Sequence, residues 1–211
     1  MSLRSERCQR AIVERAPQDP VMAKAPLAVD RHPGEANRDP LTKVFYRAHF
    51  DARLSEAFEE AKRSGNDFVL IFFDIDEFKV LNHVHGHRGG DEALVLVARV
   101  LSSNSCQADV VARYANDEFV VLMSATSLVD ARRFFERVRK EVAERSAGAL
   151  GFTLHLSARA VELLHAASAP RHFLEVTDHA MCVAEHQGSD HFFAAVVVGF
   201  AEDGREEHQE A

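Results

Sequence analysis

A chain of 211 residues with 46% hydrophobic content carries enough apolar side chain for one core, so one domain of about 150 to 200 residues with tails is expected. Acidic residues outnumber basic ones, 33 to 25, and the net charge of −8 disfavours wholesale binding to nucleic acid or to an anionic membrane. Cys8, Cys106 and Cys182 stand too far apart to suggest a disulfide framework or a zinc site, and no apolar run approaches the ~18 residues of a membrane span, so a cytoplasmic protein is expected.

Five of the six prolines fall in the first 40 residues, where arginines alternate with acids, and residues 1–37 read as a flexible tail. A short helix over Glu6 to Ala16 is the alternative reading. Phe50, Leu54, Ala57, Phe58 and Ala61 recur at helical spacing and predict a helix that stops at Ser64-Gly65. The run Phe68 to Phe73 is apolar at every position, as in a central strand covered on both faces. A helix bearing Ala93, Leu94, Val97, Ala98 and Leu101 follows, then a hairpin of Val110-Val111-Ala112 and Phe119-Val120-Val121-Leu122. Phe134, Phe135, Val138 and Val142 mark a further helix, with the two phenylalanines expected in the core. A strand is expected near Phe152 to Leu156, a helix over Phe173, Thr177, Ala180, Met181 and Ala184 that stops near Gly188, and a last strand over Phe192 to Val198. Residues 199–211 read as an acidic tail, which leaves 38–198 as the domain.

Two acidic sites lie 43 positions apart, each at a strand end: Asp74, after the central strand, and Asp117-Glu118, at the hairpin tip. Alone, each would read as a solvent-facing turn. If the strands are neighbours the carboxylates converge, and converging carboxylates suit Mg²⁺, which takes one or two protein oxygens, several waters and the phosphates of a nucleotide. The alternating His83, His85 and His87 fall in a glycine-containing stretch that reads as a loop, and they read as solvated rather than as a zinc site. Cys106 has no partner cysteine or base nearby in sequence and reads as an inert thiol. The cluster Arg132, Arg133, Arg137, Arg139 and Lys140 reads as a phosphate grip or as a solvated helix face paired with Glu136 and Glu141.

Several ordered motifs carry a resemblance: Asp39-Pro40-Leu41-Thr42, Asp74-Ile75-Asp76-Glu77-Phe78-Lys79, Asn82 through Asp91, and Arg113-Tyr114-Ala115-Asn116-Asp117-Glu118-Phe119. Over residues 38–198 the chain resembles a GGDEF domain, the diguanylate cyclase module. The resemblance implies an α/β fold related to nucleotidyl cyclase and polymerase palm domains, with a central, mostly antiparallel sheet of about five strands flanked by helices. It implies Mg²⁺ or Mn²⁺ held by Asp74, the Ile75 carbonyl and Glu118, catalysis by Asp117 and Glu118, and a nucleotide at Phe78, Lys79, Asn82 and Asp91. Asn82 and Asp91 would read guanine, since an amide and a carboxylate together match its O6 acceptor and its N1 and N2 donors. Two such domains would meet face to face, each holding one GTP, as a homodimer or as a heterodimer with another signalling protein.

The chain departs from that pattern at specific places. The two glycines of the signature loop are Ala115 and Asn116, and a left-handed backbone at an alanine costs ~1 to 2 kcal/mol. A phosphate-binding lysine and arginine of the family fall on Glu185 and Ser189. One unit charge pair at ~5 Å and an effective dielectric near 20 is worth about 3 kcal/mol, so a sign reversal weakens triphosphate binding by several. The Arg-x-x-Asp motif of the product-inhibition site reads Cys106-Gln107-Ala108-Asp109, although Arg137 matches a secondary arginine there. The reading that follows is a degenerate, weak or inactive member that regulates cyclic di-GMP signalling and still senses a guanine nucleotide. Its rivals are an active diguanylate cyclase and a partner of another cyclase that binds no nucleotide.

Overall fold

The computed structural model describes residues 37–64, 68–164 and 191–198. The expected terminal tails, the helix ending at Gly188, and Cys8, Cys182, Glu185 and Ser189 lie outside them. In chain order the elements are β1 (Phe45–Tyr46), α1 (Arg47–Ser64), β2 (Phe68–Ile75), α2 (Phe78–Asn104), β3 (Val110–Arg113), β4 (Glu118–Ser124), α3 (Leu128–Ala149), β5 (Leu156–Leu164) and β6 (Phe192–Val198). They form one six-stranded sheet in the order β1-β3-β4-β2-β5-β6.

The interior pairings are antiparallel, and the two outer ones, β1 with β3 and β5 with β6, are parallel. The sheet thus has one strand more than expected. The extra strand is β1, whose two residues are too few to show a period of two and which docks in register with Ala112 and Arg113.

From Phe68 to Phe73 strand β2 is apolar at every position because both of its faces are covered. Val69, Ile71, Phe73 and Ile75 point into a core closed by α2 and α3, which contribute Leu94, Val97, Leu101, Phe134, Phe135 and Val138. Phe68, Leu70 and Phe72 point the other way, against Phe50, Leu54 and Phe58 of α1. The phenylalanine pair of α3 is core, as expected. The α3 arginines form a solvated face: Arg133 pairs with Asp130 and Arg139 with Glu136, while Glu141 pairs with Arg145.

Two boundaries differ from expectation. Residues 152–155 are not strand, and β5 starts at Leu156. The alternation of Phe152, Leu154 and Leu156 comes instead from packing: Leu154 is buried and its N–H donates to Ser146 Oγ at 2.9 Å, while Phe152 stacks on His85. The stretch 78–92, with its histidines and glycines, is helical rather than a loop. It is two helical pieces joined at a kink where Gly86 has φ 72°, a left-handed value open to glycine at little cost.

Candidate active site at the β2, β4 and β5 ends

Antiparallel pairing sets the site. Asp74 lies directly opposite Glu118 of β4 on one side and Ser157 of β5 on the other. Because side chains alternate along a strand, Asp74 shares the face of Phe72, Leu70 and Phe68, the face that α1 covers farther along. The expected convergence of Asp74 with Asp117-Glu118 is therefore present. Burial, the charge of Asp117, and then Glu118 and Asp76 push the Asp74 carboxyl up to about 7, against an opposing pull from Arg159. Ile75, between Asp74 and Asp76, turns its side chain into the opposite core. Asp76 accepts a hydrogen bond from Ser157 Oγ at 2.7 Å, and its N–H donates to the His155 carbonyl at 3.0 Å.

The hairpin tip is tightly wound. The N–H groups of Tyr114 and Ala115 both donate to the Glu118 carbonyl, at 2.8 and 3.3 Å. Neither Ala115 nor Asn116 has a positive φ, so the left-handed backbone expected of a glycine tip is absent and its strain does not arise. Arg113 fastens the turn: Nε and Nη2 donate to the Asn116 carbonyl at 3.0 and 2.6 Å, and Nη1 reaches Asp39 Oδ1 at 3.3 Å. Asp39 in turn accepts from Thr42 N–H and Oγ1 at 2.8 and 2.7 Å. Burial would raise the Asp39 carboxyl, but the Thr42 hydrogen bonds and the Arg113 charge outweigh it and hold the group below its usual range.

The two candidate guanine readers belong to α2. Asn82 lies over Gly90, where a built Cβ would come 2.1 Å from Asn82 Oδ1, and Asp91 is the next residue. The glycine is what lets the Asn82 amide and the Asp91 backbone come this close. Lys79 is exposed, and Phe78 packs partly against the α2 and α3 core. A cleft of about 220 Å³ opens beside Asp76 and Glu77, floored by Val80, Leu81 and Leu154. It is lined by neither Asn82 nor Asp91, so it is not the expected base pocket.

Two carboxylates and a carbonyl fit Mg²⁺, whose remaining positions go to water and phosphate. Burial first and then the neighbouring carboxylates raise the Asp74 carboxyl, and a bound divalent cation would offset the charge part of that shift. Among the described residues no group of three or more His, Cys, Asp or Glu is gathered to hold an ion, so the carboxylates do not close a full coordination shell. Away from this site, Cys106 is an exposed free thiol whose N–H donates to Asp109 Oδ2 at 2.7 Å. Arg137, the other candidate at that position, donates to Asn104 Oδ1 at 3.0 Å.

Sequence reasoning gave no role to three residues that shape the site: Arg113, Ser157 and Arg159. The signal for Arg159 was legible, a lone charge in the apolar run Ala158 to Val161.

The chain matches the family described as "Diguanylate cyclase, GGDEF domain" over residues 36–191. It is 41% identical over 109 residues to the diguanylate cyclase DgcP of Pseudomonas aeruginosa, covering 52% of this chain and 16% of that protein. It is 33% identical over 154 residues to the probable diguanylate cyclase DgcC of Escherichia coli, covering 72% and 42%. The chain thus spans less than half the length of either relative. Among solved structures, the diguanylate cyclase SiaD of Pseudomonas aeruginosa, in complex with its activator SiaC, matches with TM-score 0.70 and 32% identity over 77% of this chain and 63% of that one. The GGDEF domain of DgcB from Caulobacter crescentus, in complex with c-di-GMP, matches with TM-score 0.70 and 26% identity over 81% and 98%. No helix among the described residues is long and apolar enough to cross a membrane.

Proposed function

Because this chain belongs to the GGDEF domain family, we propose that it acts in cyclic di-GMP signalling as a catalytically weak or inactive regulator that still binds a guanine nucleotide. The observation that carries this reading is the hairpin tip. Side chains stand at both positions of the turn, the backbone there is not left-handed, and Arg113 holds the Asn116 carbonyl in place, so the tip lacks the freedom of a glycine turn. The acidic frame behind it, Asp74 opposite Glu118, persists.

In this reading the Asn82 amide donates to guanine O6 and the Asp91 carboxylate accepts from N1–H and N2–H, which disfavours adenine because its donors and acceptors are reversed. Lys79 meets the terminal phosphates as a point charge. Asp74, the Ile75 carbonyl and Glu118 would hold Mg²⁺ or Mn²⁺, which when bound offsets phosphate charge and acidifies an attacking hydroxyl. Glu185 and Ser189, in place of cations, are the sequence's argument for weak triphosphate binding.

A second reading, an active diguanylate cyclase, is supported by the facing of Asp74 and Glu118 and by relatives named as cyclases. In it two GTP-loaded domains face one another, each 3′-oxygen bonds to the other's α-phosphorus, and two pyrophosphates leave. A partner that binds no nucleotide is the third; SiaD, a protein of this fold, is found with an activator protein.

One experiment separates them. Purified chain is incubated with GTP and Mg²⁺ or Mn²⁺, cyclic di-GMP is quantified by chromatography, and a non-hydrolysable GTP analogue is titrated by calorimetry. Binding without product supports the regulator. Product that disappears in Asp117→Ala establishes a cyclase, and the absence of both leaves the protein-partner reading.

A further inference from the structure

Strand β5 places a cation beside this acidic site. In register Arg159 lies opposite Phe72 of β2, two positions along β5 from Ser157, which lies opposite Asp74. A spacing of two keeps Arg159, Ser157, Asp74 and Glu118 on one face of the sheet. Its neighbours confirm the parity: Ala158 and Ala160 belong to the opposite core, while Val161 joins Phe72 on this face. On its other side Arg159 lies opposite Phe193 of β6.

Arg159 is 7% exposed, the one buried cation among the described residues. A guanidinium taken out of water among Phe72, Val161 and Phe193 is costly unless negative charge lies within reach. The acidic side chains on this face are those of Asp74 and Glu118, which stand on the neighbouring strands two register positions from Arg159.

We propose that Arg159 is the resident cation of this site, a built-in guanidinium that takes up part of the charge a divalent ion would otherwise neutralise and so weakens divalent-cation binding at Asp74 and Glu118. The inference rests on the metal-site part of the proposed function. A fixed positive charge on the same sheet face repels an incoming divalent ion and competes with it for the same carboxylates. The site therefore holds metal less tightly than its carboxylates would alone, and its acidic face stays folded without metal.

The test is Mn²⁺ binding by the full chain at pH 8, read from the electron paramagnetic resonance of free Mn²⁺. Loss of binding in Asp74→Ala, measured first, checks the metal site independently of Arg159. Arg159→Met removes the charge and keeps an apolar stem; it is expected to bind Mn²⁺ at least tenfold more tightly than the unaltered chain. Arg159→Lys keeps the charge and is expected to stay within threefold. The gain in Arg159→Met is expected to vanish when combined with Asp74→Ala. If circular dichroism shows Arg159→Met unfolded, Arg159→Gln serves in its place. Equal or weaker Mn²⁺ binding in the folded, charge-free variant overturns the proposal, as does a gain that survives Asp74→Ala. No binding in either the unaltered chain or Arg159→Met overturns both the proposal and the metal-site reading.

Discussion

Arg113 and Asp39 are 74 positions apart in sequence and 3.3 Å apart in space, and their contact ties the turn that opens the domain to the hairpin tip that carries Asp117. Through its other two nitrogens, Nε and Nη2, the same guanidinium donates to the Asn116 carbonyl. One side chain thereby fixes the backbone on which the candidate catalytic carboxylates stand, and it does so from a mostly buried position, which makes the pair worth more than a surface ion pair.

Arg113→Ala is expected to cost about 2 kcal/mol, because it leaves the buried Asp39 carboxylate with only its Thr42 bonds and frees the Asn116 carbonyl. Urea denaturation reads this as a lower midpoint at unchanged slope. Arg113→Lys is not expected to restore stability, since one ammonium cannot span both the turn carbonyl and the carboxylate. Equal midpoints for the unaltered chain and both variants would remove the tip-fastening role.

The pH dependence of that link has a defined sign. Asp39 is held below its usual range in the folded chain, so the folded form releases its proton more readily than the unfolded chain does. Its contribution is fully present above the unfolded value near 3.8 and fades as pH falls through the lower folded value. Asp39→Asn should shallow the loss of stability on acidification below pH 4. An acid limb identical to that of the unaltered chain in thermal melts from pH 2 to 5 would show that other carboxylates set it.

Asp74 has the opposite sign. Its carboxyl is raised to about 7, so the folded chain binds the proton more tightly, and stability falls as pH climbs from about 4 to about 7 and then levels off. Asp74→Asn is therefore expected to melt higher than the unaltered chain at pH 8, by about 1 to 2 kcal/mol after solvent screening, and to differ little at pH 4. Mg²⁺ at pH 8 should raise the melting temperature of the unaltered chain and not that of Asp74→Asn. A variant less stable than the unaltered chain at pH 8 would mean that the carboxylates are not in mutual strain.

The parts legible in the sequence were those whose residues see the same environment along a whole element. The uniform apolar run of β2, the hairpin around Val111 and Val121, and the phenylalanine pair of α3 are of this kind, and β6 fell within its expected bounds. The placement of Asp74 near Asp117 and Glu118 followed from one assumption, that β2 and β4 are neighbours. What stayed hidden depended on long-range partners. The bond from Leu154 to Ser146 turned an apparent strand into a connection, the pairing with β3 made a strand of two residues, and helical geometry on both sides of Gly86 overrode the low helix propensity of three glycines. The lone charge of Arg159 was visible but its setting was hidden for the same reason, since the acidic residues on its face come from other strands.

Glu185→Lys combined with Ser189→Arg tests the part of the reading that rests on sequence alone. If these positions face the phosphates, placing two cations there is expected to raise affinity for a GTP analogue at least tenfold in calorimetry. An unchanged affinity would move the block from these residues to the Ala115-Asn116 tip.

Gly90→Ala separates nucleotide recognition from folding. The added methyl would fall 2.1 Å from Asn82 Oδ1 and 3.0 Å from Asn82 Cγ, so the Asn82 side chain must swing away. The colliding atoms belong to the end of a side chain rather than to backbone, and alanine is the better helix former, which keeps the stability change within about 1 kcal/mol. Guanine recognition has no such latitude, because a displaced amide leaves the base's O6 and N1 edge without its partner. Calorimetric affinity for the GTP analogue is therefore expected to drop about tenfold while the melting temperature barely moves. If affinity holds while Asn82 is displaced, the base is not read by Asn82, and Asp91→Ala, which leaves Asn82 untouched, then decides whether Asp91 reads it alone.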